Sequence, residues 1–551
     1  MSSPTSEARP AAAAAEAPAI PRRHVMIVLG GLMFCLFLST LDQTIVATAL
    51  YQILTDIGGD QGLSQASWLI TAYLITSTAT TPLYGKISDL YGRKAVYLAA
   101  IAIFMIGSAL CGIATSLPML IAFRAVQGIG GGGLVSLAFV VLAELFSPRE
   151  RGKFMGYIYG VFAAGTAAGP LIGGLFADQD TILGAPGWRW IFYANIPFGL
   201  IAIAIITIFL KLPVVRRPHK IDFLGAFLVV AGVTAIIMAT ALGGNEFAWS
   251  SPTIIGLGAA GVVLVVLFAV WERKASEPIQ SMALWRNSIF TVTTLIAFIM
   301  GVASTGILSF VALFLQIANG DSPTEAGISL LPLMLGLLFT SIITGNLITK
   351  TGRYKIFPVI GMLISCGGLV LLSRLDEHTS VVVRDLYMAV IGIGMGLVMQ
   401  VLTVAVQNSV ERKDMGAASA ANPFFRAMGG ALGTAAFGSI LAARVTHHVT
   451  DGLNGRQLPG GVSLTSLPSP TEVRAWPADI QTIFTDAFVK AMSELSLIAA
   501  GFVAAGFVLV LFLKELPLKG AAPAKAAAPA QAGPASPTAN STAPAAQAPA
   551  K

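Results

Sequence analysis

Long apolar runs separated by short polar or basic connections make up most of the chain. A helix needs about twenty apolar residues to cross ~30 Å of hydrocarbon, and about fourteen runs come near that length. They cover 25–47, 66–86, 94–115, 117–146, 154–176, 190–210, 222–242, 252–271, 288–316, 325–349, 356–374, 385–408, 415–444 and 487–513. An open strand in hydrocarbon would leave its backbone groups without partners, so the runs are read as helices. The pattern predicts an all-α polytopic membrane protein of fourteen transmembrane helices. The first run is too long for a signal-peptide core and has no small-residue cleavage site, so it is read as the first span. Outside the runs lie an Ala/Pro-rich stretch at 1–24, a Gly/Pro/Ser-rich outer loop at 445–486 and an Ala/Pro-rich tail at 516–551. Both terminal stretches read as disordered cytoplasmic tails.

Composition excludes a water-soluble body. Of the 551 residues 55% are hydrophobic and 11% charged, against about 25% charged in soluble domains. Mean hydropathy is +0.78. The formal net charge of +7 does not mark a nucleic-acid partner, because its cations lie in short loops between apolar runs. If the N-terminus is cytoplasmic, inner loops hold Lys86, Arg93, Lys94, Arg149, Arg151, Lys153, Arg273, Lys274, Lys350, Arg353, Lys355, Arg412 and Lys413 among others. Outer loops hold far fewer, a bias of roughly three to one under the positive-inside rule. An even helix count then puts both termini in the cytoplasm. The expected location is the cell inner (cytoplasmic) membrane, crossed many times. Cys35, Cys111 and Cys366 sit in apolar runs and form no disulfide or metal pattern. The adjacent His447 and His448 suit a solvated loop better than a metal site.

Charge inside a span costs at least about 2.5–3.5 kcal/mol, so each instance calls for a reason. Asp42 in run 1 and Arg124 in run 4 are the clearest. By the predicted spans both lie roughly 8–10 Å from the outer surface, close enough to share one polar cavity. Burial disfavours a carboxylate's charged form and an adjacent guanidinium favours it, so a small change in their separation loads or releases a proton. The bland alternative is an ion pair that only locks the two helices together. The connection after run 2 reads Gly85-Lys86-Ile87-Ser88-Asp89-Leu90-Tyr91-Gly92-Arg93-Lys94, with glycines for a tight reversal and Asp89 placed to cap a helix or pair with Arg93. Run 5 carries Gly165, Gly169, Pro170, Gly173 and Gly174. Glycines four apart share a helix face and allow close packing, and a proline frees a carbonyl and kinks the helix. The face is either a bending element or static packing.

Together these stretches resemble the major facilitator superfamily, and within it the fourteen-span drug:proton antiporter branch. The resemblance rests on the 85–94 loop, on Arg124 with Gln127-Gly128, and on Gly165 to Gly174 with Gly169-Pro170. It also rests on Leu41-Asp42-Gln43-Thr44, on Trp188-Arg189-Trp190-Ile191-Phe192 before Asn195-Ile196-Pro197, and on Arg426 before Gly429-Gly430. Two departures stand at the end of the first run: Tyr51, where the family usually has Pro, and Ala47, where Asn is common. The resemblance implies a six-helix bundle at 25–210, an inserted helix pair at 211–271 and a second bundle at 272–515, moving by alternating access. It implies Asp42 and Arg124 in proton coupling, and a cytoplasmic latch at Gly85, Asp89, Gly92, Arg93 and Lys94. It implies an antiporter hinge at Gly165, Gly169, Pro170, Gly173 and Gly174.

Further polar residues inside the runs are candidates to line a substrate cavity: Gln127, Asn195, Gln316, Gln400, Gln407, Asn408 and Arg426. Lys490 and Glu494, four apart, are placed to pair with each other. The expected function is proton-coupled export of lipophilic or cationic small molecules, drugs among them. The same fold exporting a lipid, siderophore or metabolite is the alternative. No nucleophile–base pair, metal cluster or phosphate loop suggests an enzyme. No cofactor is expected, and a proton gradient is the expected energy source. The partners are the lipid bilayer, a small-molecule substrate and protons, with a periplasmic adaptor and outer-membrane channel left open and nucleic acid excluded.

Overall fold

The computed structural model describes residues 21–58, 62–177, 179, 181–210, 222–244, 246–275, 277–453, 468 and 470–518. Most of both predicted tails, the basic stretch 211–221 and residues 454–467 of the outer loop lie outside that set. Each predicted run is helical. The long helices are α1 (Arg22–Thr48), α2 (Gly62–Tyr91), α3 (Arg93–Gly112), α4 (Leu117–Leu145), α5 (Pro148–Ala177), α6 (Asn195–Phe209), α7 (Phe223–Leu242) and α8 (Pro252–Trp271). There follow α9 (Ser288–Ala318), α10 (Leu331–Thr351), α11 (Ile356–Leu372), α12 (Val381–Ser409), α13 (Met415–Leu453) and α14 (Ala478–Leu511). Twelve helices of the described chain are long and apolar enough to cross a membrane. The 30-residue α2 and the shorter, 17-residue apolar α11 stand where the second and eleventh runs were expected.

The helices pack as two bundles, α1–α6 and α9–α14. Helices α7 and α8 pair with each other, and α7 lies against α2 and α13, with Leu228, Val229, Val233 and Phe268 in one apolar cluster with Ile75, Ala79 and Phe424. The bundles meet through α5 on α10 and α2 on α13. These crossings are close because glycine faces backbone. A Cβ on Gly345 would strike the Gly152 carbonyl oxygen, and one on Gly416 the carbonyl oxygen of Gly85. Both crossings lie at the end that gathers the basic connections. There Arg149 Nε donates to Thr349 O at 2.8 Å and its Nη2 to Lys350 O at 3.0 Å. Gly92, at φ 93°, makes the break between α2 and α3 in a conformation side chains resist.

The glycine face of α5 packs on a matching face of α1. Gly165, Gly169 and Gly173 lie against the hydroxyls of Thr40, Thr44 and Thr48 in the same order, so both helices repeat every four residues in parallel register. Each threonine hydroxyl donates within its own helix, as Thr48 does to Ile45 O at 2.7 Å, so no polar atom is stranded by the contact. Gly174 faces open space, and the Pro170 side chain lies outside the described residues.

Two boundaries differ from the pattern. Helix α13 continues to Leu453 and α14 begins at Ala478, so the expected loop 445–486 is mostly helix at its two ends. Val445, Val449 and Leu453 recur every four residues and are buried against Ile480, Phe484 and Phe488. Arg444, His447, His448 and Asp451 on the other faces lower the mean hydropathy enough to hide that stripe. His447 and His448 are therefore helical rather than in a loop, and His448 meets Glu494 at 3.1 Å. Glu494 also pairs with Arg444 at 3.2 Å, across to α13 rather than along α14 to Lys490.

Candidate functional site

Asp42 lies in the first bundle with no exposed surface, and Arg124 has 1%. Arg124 Nη1 donates to Asp42 Oδ2 at 2.6 Å. Asp42 Oδ1 receives Gln127 Nε2 at 2.9 Å and Asn195 Nδ2 at 3.0 Å. The donors are themselves held. Arg124 reaches Gln127 Oε1 at 2.8 Å and Leu69 O at 3.3 Å, with its guanidinium 4.4 Å over the Tyr73 ring. Asn195 also donates to Ser108 Oγ at 3.0 Å, and Ser108 donates to Phe192 O at 2.8 Å. Five helices, α1 to α4 and α6, thus meet at one carboxylate. A buried ion pair is retained only where further hydrogen bonds satisfy its remaining atoms, and this cluster supplies them. The predicted Asp42–Arg124 neighbourhood is therefore a direct contact.

Gln127 and Asn195, expected to face a substrate, instead point at Asp42 and are buried. Tyr73 and Ser108 escaped the sequence reading, because a lone Tyr or Ser in an apolar run carries no signal of its own.

At the basic end, Arg93 Nη1 meets Asp89 Oδ1 at 2.7 Å and Nη2 meets Glu144 Oε1 at 2.8 Å. Glu144 was not foreseen, since the end of α4 reads as ordinary cytoplasmic polarity. Lys94 Nζ donates to Thr207 O at 2.6 Å, tying α3 to α6. Asp89 lies beyond the apolar run of α2, with Oδ2 against Gly416, one residue into α13. Burial pushes its carboxyl up to about 7, although Arg93 and Lys86 pull it down. Lys86 also pairs with Glu277 at 2.8 Å in the connection after α8. In that connection Glu272 accepts from Ile279 N and Gln280 N, both at 3.1 Å, and burial raises it to about 7.

The remaining cavity candidates divide. Gln316 donates to its own helix at Ala312 O, 3.2 Å. Asn408 lies at the basic end, donating to Leu516 O and Pro517 O at 3.4 and 3.3 Å, and so fastens the segment after α14. Gln400, Gln407 and Arg426 do line the seam between bundles. Gln407 Nε2 donates to Phe139 O at 3.2 Å and Ser419 Oγ at 3.1 Å. The Arg426 guanidinium lies 5.7 Å over the Phe162 ring.

Two helical bundles, the first enclosing a buried ion pair, with a polar seam between them, fit a membrane transporter. The chain belongs to the Major Facilitator Superfamily, whose family model matches residues 32–434. It is 40% identical over 427 residues to "Multidrug transporter protein MdtP" of Bacillus subtilis (strain 168), covering 78% of this chain and 77% of that one. It is 34% identical over 490 residues to "Efflux pump dotC" of Dothistroma septosporum, covering 87% and 82%. Among solved structures, the proton:xylose symporter XylE bound to 6-bromo-6-deoxy-D-glucose superposes with a TM-score of 0.56 at 14% identity, covering 90% of this chain and 97% of that one. The human organic anion transporter MFSD10 superposes at 0.58 and 16%, covering 90% and 100%. At such identities these two speak for the fold alone.

Proposed function

We propose that the protein is a proton-coupled antiporter that exports lipophilic small molecules across the inner membrane by alternating access, with Asp42 as the proton-carrying group. One observation carries this reading. A carboxylate without exposed surface is held by Arg124, Gln127 and Asn195 from two other helices, a costly arrangement to keep for packing alone. Protonating Asp42 weakens its hold on Arg124 and frees α1 and α4 to shift relative to each other. The names of the relatives, a multidrug transporter and an efflux pump, support the direction of transport and a toxic cargo.

In this reading the basic end faces the cytoplasm, following the positive-inside rule, and both termini lie there. The units 25–210, 211–271 and 272–515 serve as first bundle, inserted pair and second bundle. The α5–α10 and α2–α13 crossings close the cytoplasmic side, so the described conformation faces outward. Asp89, Arg93 and Glu144 form the latch that holds it. The Gly165–Gly173 face is the hinge on which α5 rolls against α1.

Growth protection in an efflux-deficient bacterium, scored over a panel of lipophilic antimicrobials, identifies transported compounds. Everted vesicles then follow their accumulation under a pH gradient. Asp42→Asn keeps the shape and removes the titration, and it should reduce gradient-driven accumulation to background. Accumulation at the full wild-type rate would remove Asp42 from the mechanism.

A further inference from the structure

Arg426 stands in the second bundle with no protein carboxylate paired to it among the described residues. It is 11 residues into α13 from Met415, ~16 Å at 1.5 Å per residue, near the middle of a ~30 Å hydrocarbon core. A guanidinium at that depth almost always faces a counter-charge or a water-filled cavity. Arg124, the other deep guanidinium, has Asp42. Arg426 has the Phe162 ring and the neighbourhood of Tyr159.

The surrounding side chains are polar and unfinished. Asn422 and Ser419 precede Arg426 by four and seven residues and share its face of α13. Ser419 connects to Gln407 of α12 at 3.1 Å. Thr403, one turn along α12, meets the Tyr159 hydroxyl of α5 at 3.3 Å. Gln400 is three residues further and abuts Gly156, where a Cβ would lie 3.0 Å from its Oε1. Both polar atoms of Gln400, both of Asn422 and Oε1 of Gln407 are buried and without a hydrogen-bond partner among the described residues. An unpaired buried amide costs about 1–3 kcal/mol, so this much unused capacity in one seam marks a place where something else supplies the partners.

We propose that this seam is the cargo site and that its cargo is an organic anion: an aromatic or otherwise flat lipophilic body bearing one carboxylate or comparably ionised oxygen. The anion pairs with Arg426, whose planar fork suits a carboxylate. The ring packs on Phe162 and Tyr159, and further oxygens or N–H groups meet Gln400 and Asn422. The proposal rests on the exporter reading above and narrows it. A cationic cargo would meet Arg426 as a like charge. The seam residues named here include no carboxylate, and Asp42 is sealed within the other bundle. Cargo in the seam and proton inside the first bundle thus occupy separate sites. Their coupling passes through the movement of one bundle on the other rather than through competition for one carboxylate.

Isothermal titration of the purified full chain with 2-naphthoate, its neutral amide and 2-naphthylmethylammonium separates charge from ring. Naphthoate should bind at least about tenfold more tightly than either analogue. Arg426→Gln should abolish that preference, and Arg426→Lys should keep it at lower affinity. Equal binding of the three probes, tighter binding of the ammonium, no binding of naphthoate, or a preference that survives Arg426→Gln overturns the proposal. Should Arg426→Gln aggregate on gel filtration, the wild-type and Arg426→Lys comparison decides. Titration needs no proton gradient. Naphthoate binding through Arg426 without proton-linked transport would remove the antiport reading and leave the site, and the converse result would remove the site and leave antiport.

Discussion

Asp42 shows how a charge is kept in an apolar medium. Its two oxygens receive three donors, and each donor is fixed by a further partner, so the carboxylate has little freedom. Asn195 is the member most open to a clean test, because it bridges Asp42 Oδ1 and Ser108 Oγ, each at 3.0 Å. Asn195→Ala removes both contacts and leaves a buried acceptor short. It should cost about 1–3 kcal/mol, seen as a lowered unfolding temperature of the purified protein. An unchanged unfolding temperature would mean the Asn195 contacts contribute nothing to the cluster. Asp42 and Arg124 were legible in the sequence because charge in oil is expensive and therefore conspicuous. The amides were not, since Gln and Asn serve equally as ligands, as caps and as supports. The pattern offered no means to separate Gln127, which supports Asp42, from Gln400, which has no hydrogen-bond partner among the described residues.

At the scale of elements, the basic end is a balance between burial and pairing. Asp89 sits between Arg93, Lys86 and Glu144 and presses its second oxygen on Gly416 at the start of α13. Its ordinary value is 3.8, and burial in the closed arrangement takes it to about 7. If the bundles part at this end, Asp89 meets water and returns toward the ordinary value. The closed arrangement therefore binds the proton more tightly. It is favoured at low pH and loses that advantage progressively as pH rises from about 3.8 to about 7. Electron–electron distance measurements between spin labels at Tyr91 and Glu411 should show a larger closed population at about pH 6 than at about pH 8, with the dependence absent in Asp89→Asn. A closed population that grows with pH would contradict this. The helices themselves were largely readable, because apolar runs of spanning length have few other uses. The ends of α13 and α14 were not, because Val445, Val449 and Leu453 bury one narrow stripe of an otherwise polar helix. The Gly165–Gly173 face was readable as a close contact, but its partners Thr40, Thr44 and Thr48 were not, since threonine in a span is unremarkable by itself.

For the whole molecule, the first bundle holds the buried Asp42–Arg124 pair, the second holds Arg426 without a carboxylate partner among the described residues, and glycine crossings join them at the basic end. Helix α7 of the pair α7–α8 packs on α2 and α13, and the connection after α8 reaches the basic loop through the Lys86–Glu277 pair. On the proposed antiport reading, proton and cargo exchange across the membrane only if rearrangement of Asp42 and Arg124 is transmitted to the seam between bundles. In the proposed mechanism Asp42 gives up its proton when cargo binds. The most direct measurement is proton release into weakly buffered solution when a transported compound is added to the purified protein. Release is expected from the wild type and none from Asp42→Asn with the compound still bound. Equal release from both proteins would contradict it.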